Sequence, residues 1–139
     1  MQWEASRNAG FSSAEKTWLT VNQDYQTVNV ETEQKTANSL LNTLRELLKI
    51  RNKSSALRGG SLKLVSRTEV PDHILMFNRK SGNEELLVVM NFNKNDCQFD
   101  FKAEDWVILF GLNVNDRLSD GKIKLDGFGG MILGKNPPV

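Results

Sequence analysis

Hydrophobic positions follow a helical period most clearly in residues 37–52. The leucines that share one face at the spacing of an α-helix are Leu40, Leu41, Leu44, Leu47 and Leu48. We expect Thr36 or Asn38 to cap the amino end of this helix through a side-chain oxygen. The pattern therefore predicts one strong amphipathic helix, whose leucine face needs a partner surface.

Residues 56–135 show the shorter period of β-strands, with turn residues between the apolar runs. We predict strands at residues 61–66, 73–78, 85–92, 97–101, 106–110, 122–125 and 131–133. Short strands at this spacing are typical of an antiparallel sandwich or a barrel-like sheet. The runs 86–90 and 106–110 are apolar on both faces, which predicts that both sides of these strands are covered.

Residues 1–35 follow neither period, and we interpret them as a long ordered loop with short turns. A loop of this length is uncommon in a compact domain, where it is usually functional or packed on another surface. Its aromatic residues are Trp3, Phe11, Trp18 and Tyr25. From composition alone, packing onto a scaffold is favoured over stacking on a ligand, because aromatic side chains with polar groups commonly pack this way.

Composition and charge exclude several classes of protein. The chain has 139 residues, with 18 basic and 17 acidic side chains and a net charge of +1. No basic stripe indicates a nucleic-acid partner. Cys97 is the single cysteine, so neither an internal disulfide nor a thiolate zinc site can form. No apolar run reaches the length of a membrane helix, and Met1 does not resemble a natural start.

Candidate chemistry is sparse in the sequence. Glycoside hydrolysis with retention needs two carboxyl groups about 5–5.5 Å apart, and no spacing among the 17 acidic residues singles out such a pair. His73 is the single histidine and no nucleophile-elbow motif accompanies it. The residues alone therefore predict no catalytic group, no metal ligand and no cofactor.

The first 34 residues carry a series of short motifs in a fixed order. They are Met1-Gln2-Trp3, Asn8-Ala9-Gly10-Phe11, Trp18-Leu19, Val21-Asn22, Tyr25 and Asn29-Val30-Glu31. This series resembles the segment after the last barrel strand in the α-glucosidase branch of the α-amylase family, glycoside hydrolase family 13. The sequence departs from the family pattern at Glu4, where Asp is usual, and at Thr20 and Gln23, where Pro is usual.

The resemblance implies a fold and a division of the chain. The family combines a (β/α)8 barrel with a carboxyl-terminal β-domain, and the predicted helix resembles the last helix of that barrel. We therefore expect a mainly β chain, in which a long loop and one helix from the barrel end precede an antiparallel β-sandwich. The expected domains are residues 1–54, the end of the barrel, and residues 55–139, the β-domain.

The resemblance also implies a function for a longer parent protein. Such a protein is a maltase-like α-glucosidase that acts on terminal α-linked glucose in carbohydrate metabolism. Its catalytic Asp, Glu and Asp lie on earlier barrel strands, so no catalytic residue maps onto this chain and α-glucosides would bind through the missing barrel portion. The positions expected at the pocket rim are Met1, Gln2, Trp3, Glu4, Asn8 and Phe11.

Two further expectations concern the setting of the parent protein. Asn52-Lys53-Ser54 fits the pattern for N-glycosylation at Asn52. If the parent is like its animal relatives, it is secreted or tethered to the outer face of a membrane.

An alternative of another class remains open. The heavy subunits of heteromeric amino-acid transporters resemble α-glucosidases, and at least one type keeps a similar loop. They bind a membrane transporter and do not hydrolyse sugars. The upstream carboxylates, which lie outside this sequence, discriminate between the two hypotheses.

The leucine face of the predicted helix gives a first testable prediction. A peptide of residues 1–52 should be poorly ordered or should self-associate, because its apolar face lacks the barrel strands expected to cover it. Hydrogen exchange and sedimentation of this peptide measure both properties. Slow amide exchange throughout residues 37–52 in a monomer would contradict the prediction.

Overall fold

The computed structural model describes residues 2–66, 68–102, 105–114, 118–119 and 121–135. The chain divides into two compact units, Met1–Lys49 and Ile50–Val139. In these described ranges, no helix combines the length and the apolar character that crossing a bilayer requires.

The first unit is mostly loop, with short helical segments. It contains 3-10 turns at Arg7–Gly10 and Gln23–Gln26, then helix α1 at Val30–Lys35. The predicted amphipathic helix is present as α2, Leu40–Lys53, which continues past the boundary of the unit. Helix α1 was not predicted, because its sequence lacks an apolar period.

Helix α1 begins at a buried asparagine. Asn29 is extended, and its side-chain oxygen accepts a hydrogen bond of 2.8 Å from the backbone N–H of Thr32. Its amide nitrogen donates to the carbonyl of Tyr25 at 2.8 Å. Asn29 therefore joins the second 3-10 turn to α1 and satisfies one of the free N–H groups at the start of the helix.

The predicted cap of α2 is wrong. Neither Thr36 nor Asn38 caps the helix; the Ser39 hydroxyl accepts from the backbone N–H of Asn42 at 3.2 Å. The same hydroxyl donates to the carbonyl of Glu33 at 2.6 Å. Ser39 is buried because it bridges the end of α1 and the start of α2, a role that a linear pattern does not reveal.

The leucine face of α2 is largely exposed. Leu40 is 80% accessible, and Leu44 and Leu48 are also exposed. Leu41 and Leu47 are half-buried. Burying a leucine fully is worth about 1.5–3 kcal/mol, so this face retains a strong tendency to be covered.

The described residues of the second unit form the last turn of α2, one short helix and eight strands. Helix α3 spans Ser55–Gly59. The strands are β1 Ser61–Leu64, β2 Ile74–Ser81, β3 Glu84–Asn91, β4 Cys97–Asp100, β5 Val107–Leu112, β6 Leu118–Ser119, β7 Lys122–Leu125 and β8 Gly130–Lys135. The seven predicted strands are confirmed, with shifted ends, whereas α3 and β6 were not predicted.

The strands form two antiparallel sheets. One sheet has five strands in the order β1-β2-β3-β8-β5, and the other has three in the order β4-β7-β6. Within the larger sheet, β2 and β3 form a hairpin in which Met76 pairs with Val89 and Asn78 with Leu87. The chain is therefore mostly antiparallel sheet with some helix.

One hydrophobic core draws side chains from both sheets. Its buried members are Ile74, Met76, Leu87, Val89, Ile123, Leu125, Met131 and Leu133. They come from β2, β3 and β8 of the larger sheet and from β7 of the smaller sheet. Cys97 is half-buried against this core, where it packs as a small hydrophobic residue. Burial raises the pKa of its thiol.

The two strands predicted to be covered on both faces differ. In β3 the prediction is confirmed, since Leu86 and Leu87 point to opposite faces and both are buried. Helix α3 packs against β2 and β3. In β5 the prediction is wrong, because this strand is an edge of its sheet, with Val107 and Leu112 exposed and a bulge between Ile108 and Phe110.

Two charged side chains fix α3 to the sheet. The carboxylate of Glu84, at the start of β3, accepts from the Ser55 hydroxyl and from the Ala56 backbone N–H at 2.9 Å. The guanidinium of Arg79 donates to the carbonyls of Ala56 at 3.0 Å and Leu57 at 3.4 Å. The acid therefore binds the amino end of α3, as the charge of that end favours, and the base binds two of its backbone carbonyls.

Glu84 stays ionised despite its burial. Burial alone would raise the pKa of this carboxyl, but the Ser54 and Ser55 hydroxyls and the Ala56 and Ser55 N–H groups hold it below its ordinary value of 4.5. A lowered folded-state pKa stabilises the fold at pH values above the ordinary pKa. This contribution is lost as the pH falls through the folded-state pKa.

We expect Glu84→Gln to lower the free energy of unfolding at pH 7 by about 1 kcal/mol, because charge-assisted hydrogen bonds are stronger than neutral ones. We expect the stability of the wild type to fall below pH 4.5 as Glu84 is protonated, and the variant should lose part of this fall. Urea unfolding at several pH values measures both effects. Glu85→Gln is the matched control, since Glu85 makes none of these contacts; equal losses in both variants would contradict the role of Glu84.

Candidate functional site

The loop of the first unit is built around three consecutive residues in the left-handed region. Asn8, Ala9 and Gly10 have φ values of 56°, 52° and 71°. Glycine adopts this conformation freely, whereas each non-glycine residue there costs about 1–2 kcal/mol. The surrounding contacts must offset that cost for the turn to persist.

Hydrogen bonds on both sides hold this turn in place. The backbone N–H of Trp3 donates to the Ala9 carbonyl at 2.9 Å, and Ala9 is fully buried. The Asn8 amide donates to the carbonyls of Ser12 at 3.1 Å and Ala14 at 2.7 Å. Asn8 therefore organises the next segment of the loop from within.

A pocket of about 460 Å³ lies beside this turn. Its lining residues are Glu4, Ser6, Arg7, Gly10, Phe11, Ser12 and Ser13. Glu4 accepts a hydrogen bond from the Ser6 hydroxyl, and the Arg7 guanidinium donates to the Glu15 carbonyl. The pocket thus combines an aromatic ring with hydroxyl, carboxylate and guanidinium groups.

This set of groups can bind a polar ring but cannot hydrolyse a glycoside with two carboxylates. Half of the Phe11 side chain is exposed, so its ring offers an apolar surface. Glu4 supplies the one carboxylate in the described lining of this pocket. A retaining mechanism needs two such groups facing each other.

A second, more apolar groove of about 430 Å³ lies elsewhere in the same unit. It is lined by Gln2, Val28, Asn29, Val30, Glu33, Leu40, Leu41 and Leu44. The Gln2 amide donates to the Asp24 carboxylate at 3.0 Å and to the Val28 carbonyl. Gln2 therefore lies in a different depression from Glu4 and Phe11.

The structure thus separates the residues predicted for the pocket rim. Glu4 and Phe11 share the first pocket, Gln2 lines the second groove, Asn8 braces the turn, and Trp3 is half exposed. Met1 lies outside the described residues. Sequence analysis did not single out Ser6, Arg7, Ser12 and Ser13, since isolated small polar residues carry no periodic or motif signal.

Packing of the loop aromatics onto a scaffold stays a prediction, and within the first unit most of these rings are exposed. Trp18 is 99% exposed, and Trp3 and Phe11 are about half exposed. Tyr25 is half-buried. These rings are therefore available to a ligand or to a further surface.

The glycosylation pattern lies at the end of α2. Asn52 is exposed in the last turn of the helix. Ser54 is buried, and its hydroxyl accepts from the Leu57 N–H at 3.0 Å as the cap of α3. Modification of Asn52 stays a prediction. In the described ranges, no group of three or more His, Cys, Asp or Glu side chains could hold a metal ion.

Comparison with known proteins places these features in a family. Residues 1–60 match the model of the α-amylase catalytic domain. Over these residues the chain belongs to the α-amylase family, glycoside hydrolase family 13. The family resemblance of the loop motifs is therefore confirmed.

Relatives extend the match through the β-strands. An oligo-1,6-glucosidase of Heyndrickxia coagulans is 32% identical over 113 residues, covering 80% of this chain and 20% of that protein. An α-glucosidase of Apis mellifera is 34% identical over 103 residues, covering 73% and 18%. The crystal structure of an isomaltulose synthase variant from Erwinia rhapontici superposes with a TM-score of 0.79 at 29% identity, covering 98% and 24%.

The chain spans about a fifth of the length of the two curated relatives described. Both relatives are glucosidases by name. The activity of any whole protein that contains this chain is therefore a matter for proposal.

We expect Gly10→Ala to loosen the loop. A Cβ there would lie 2.7 Å from the Glu4 Cγ, in addition to the cost of a positive φ. Amide exchange at Trp3 should accelerate about tenfold or more, the equivalent of about 1–2 kcal/mol. Hydrogen exchange measured by NMR on the full chain tests this.

Gly82→Ala is the matched control for this variant. Gly82 has a φ of 58°, but a Cβ there would meet nothing within 4 Å. The Gly82→Ala variant therefore has the conformational cost of a positive φ without a steric contact. Amide exchange in the β2–β3 hairpin should change less than exchange at Trp3 does in the Gly10→Ala variant. Equal effects at the two glycines would remove the role assigned to Glu4.

Proposed function

We propose that this chain forms the carboxyl-terminal part of a retaining α-glucosidase that removes terminal α-linked glucose. The observation that carries the proposal is the match of residues 1–60 to the α-amylase catalytic domain. Glucosidases 32–34% identical to the chain continue that match into the second unit, which we call the β unit. Because the chain spans about a fifth of their length, the remaining catalytic parts would come from preceding polypeptide.

In this proposal α2 is the last helix of a (β/α)8 barrel. The exposed leucine face and the apolar groove beside Leu40 and Leu44 support it, because a barrel helix buries such a face against strands. The second unit would be the appended β-sandwich. Its support is the single core that draws buried side chains from both sheets.

The loop of the first unit would shape the rim of the sugar pocket. Loops at the carboxyl ends of barrel strands form the active sites of such barrels, and this loop would follow the last strand. Phe11 offers a ring face, and the Ser6, Arg7 and Ser12 groups offer donors to sugar hydroxyls. The chain would therefore position substrate, while two carboxylates of the preceding barrel would perform the displacement.

The isolated chain should release no glucose from maltose or from p-nitrophenyl α-glucoside, because it would lack the nucleophile and the acid of the reaction. Glucose release by the purified 139-residue protein above the rate of a blank would overturn this division of labour.

A chimera tests the positive side of the proposal. This chain would replace the matching segment of the Heyndrickxia coagulans oligo-1,6-glucosidase, with which it aligns over 113 residues. We expect the chimera to fold and to hydrolyse p-nitrophenyl α-glucoside. A folded but inactive chimera would count against the proposal.

Within that chimera, Phe11→Ala tests the rim. It should raise KM for p-nitrophenyl α-glucoside about threefold to tenfold, in line with the 0.5–1.5 kcal/mol of an aromatic contact. Phe128→Ala is the matched control, because Phe128 is similarly exposed but lies in the β unit. An unchanged KM for the Phe11 variant would remove this residue from the rim.

A further inference from the structure

The β unit contains a cavity that the proposed glucosidase role does not use. It has a volume of about 340 Å³, which falls at the lower end of the roughly 300–1,000 Å³ of small-molecule pockets. Residues from the core face of β2 and from the segments that flank β4 and β5 line it. All of them belong to the second unit.

A polar side chain occupies the core face of β2 at this point. Ile74, Met76 and Asn78 occupy every second position of β2 and so share that face. Asn78 pairs directly with Leu87 of the core. The side-chain oxygen of Asn78 is buried and has no hydrogen-bond partner among the described residues. Leaving such an acceptor unpaired costs about 1–3 kcal/mol, so the site favours a molecule that donates to it.

Two aromatic rings also line the cavity. The rings of Phe101 and Trp106 lie 6.1 Å apart with an angle of 52° between their planes, and both line the cavity. The ammonium group of Lys135 lies over the Trp106 ring, 5.1 Å from its centre. The lining of the cavity therefore combines two aromatic rings with an unpaired acceptor.

Among the described residues, the charges around the cavity are balanced. Glu69 and Asp100 contribute carboxylates and Lys102 an ammonium group, while Lys122 lies 3.9 Å from Asp100. With the ammonium of Lys135 against the aromatic wall, neither sign of charge dominates. A cation would gain little net attraction here, and an anion would face the Asn78 oxygen.

We infer that this cavity binds a neutral ring that carries hydroxyl groups, of the size of one hexose. A hydroxyl can donate to the Asn78 amide oxygen, and the carboxylates of Glu69 and Asp100 accept from other hydroxyls at the mouth. The C–H face of the ring packs against Trp106 and Phe101. The site is independent of the pocket of the first unit, so it stands or falls apart from the proposed hydrolysis.

The test is a titration of the full chain with methyl α-glucoside, followed by two-dimensional NMR. We expect saturable shifts of the Trp106 indole N–H signal and of the Asn78 side-chain amide signals. Shifts that do not saturate up to the solubility limit, or that occur at other residues alone, mean that water alone fills the cavity and overturn the inference. Choline is the charged probe, and saturable shifts of the same signals by choline also overturn it.

Two variants assign the contacts. Asn78→Leu should weaken binding about tenfold or more, because it removes the acceptor, while its thermal midpoint stays equal or rises. Asn83→Leu, in the exposed turn after β2, is the matched control and should bind as the wild type does. Trp106→Leu keeps an apolar wall without a ring and should weaken binding about threefold or more.

Full binding by a folded Asn78→Leu chain would refute the role of the amide. If that variant does not fold, the Trp106→Leu titration decides. In that case, a Trp106→Leu chain that binds methyl α-glucoside with wild-type affinity would overturn the inference by itself.

Discussion

The β unit depends on one constraint: two sheets of unequal size must bury their apolar faces against each other. Eight buried side chains meet that constraint, six from β2, β3 and β8 and two from β7. Everything outside this core is arranged around it. Helix α3 covers the outer face of the β2–β3 hairpin, and Glu84 and Arg79 each bond to its backbone, so that the buried Leu86 has cover on the side away from the core. Two charged side chains thus support the packing of this helix on the sheet.

The sequence predicted the elements that bury a regular face, and missed those that depend on a distant partner. Helix α2 and seven strands follow from alternation or helical spacing. Helices α1 and α3 are short and begin at Asn29 and Ser54, whose capping role is a local signal without apolar support. The cap of α2 was misassigned because Ser39 is selected by its bond to the Glu33 carbonyl, which no linear pattern shows. Strand β5 was predicted to be buried from its composition, yet its place at a sheet edge leaves it half open.

The candidate site shows the same division. The motif Asn8-Ala9-Gly10-Phe11 was recognisable as a resemblance, and it proves to be the left-handed turn around which the first pocket forms. The remaining lining residues were invisible, because serine and arginine at irregular spacing are common on any surface. The orphan oxygen of Asn78 was equally hidden, since a polar residue in a strand normally indicates the solvent face. The pairing of Asn78 with the core residue Leu87 reveals that the Asn78 side chain faces inward.

The two edges of the larger sheet explain how the β unit avoids unwanted assembly. Strand β1 offers a ladder of only four residues, and the bulge between Ile108 and Phe110 interrupts the ladder of β5. Short or bulged margins are poor templates for strand addition by another chain. Fibril-like growth through backbone pairing is therefore disfavoured at both margins. Association of this molecule is instead expected through side-chain surfaces such as the exposed leucines of α2. Contacts of that kind depend on excluding water from apolar surface and can be reversed by detergent.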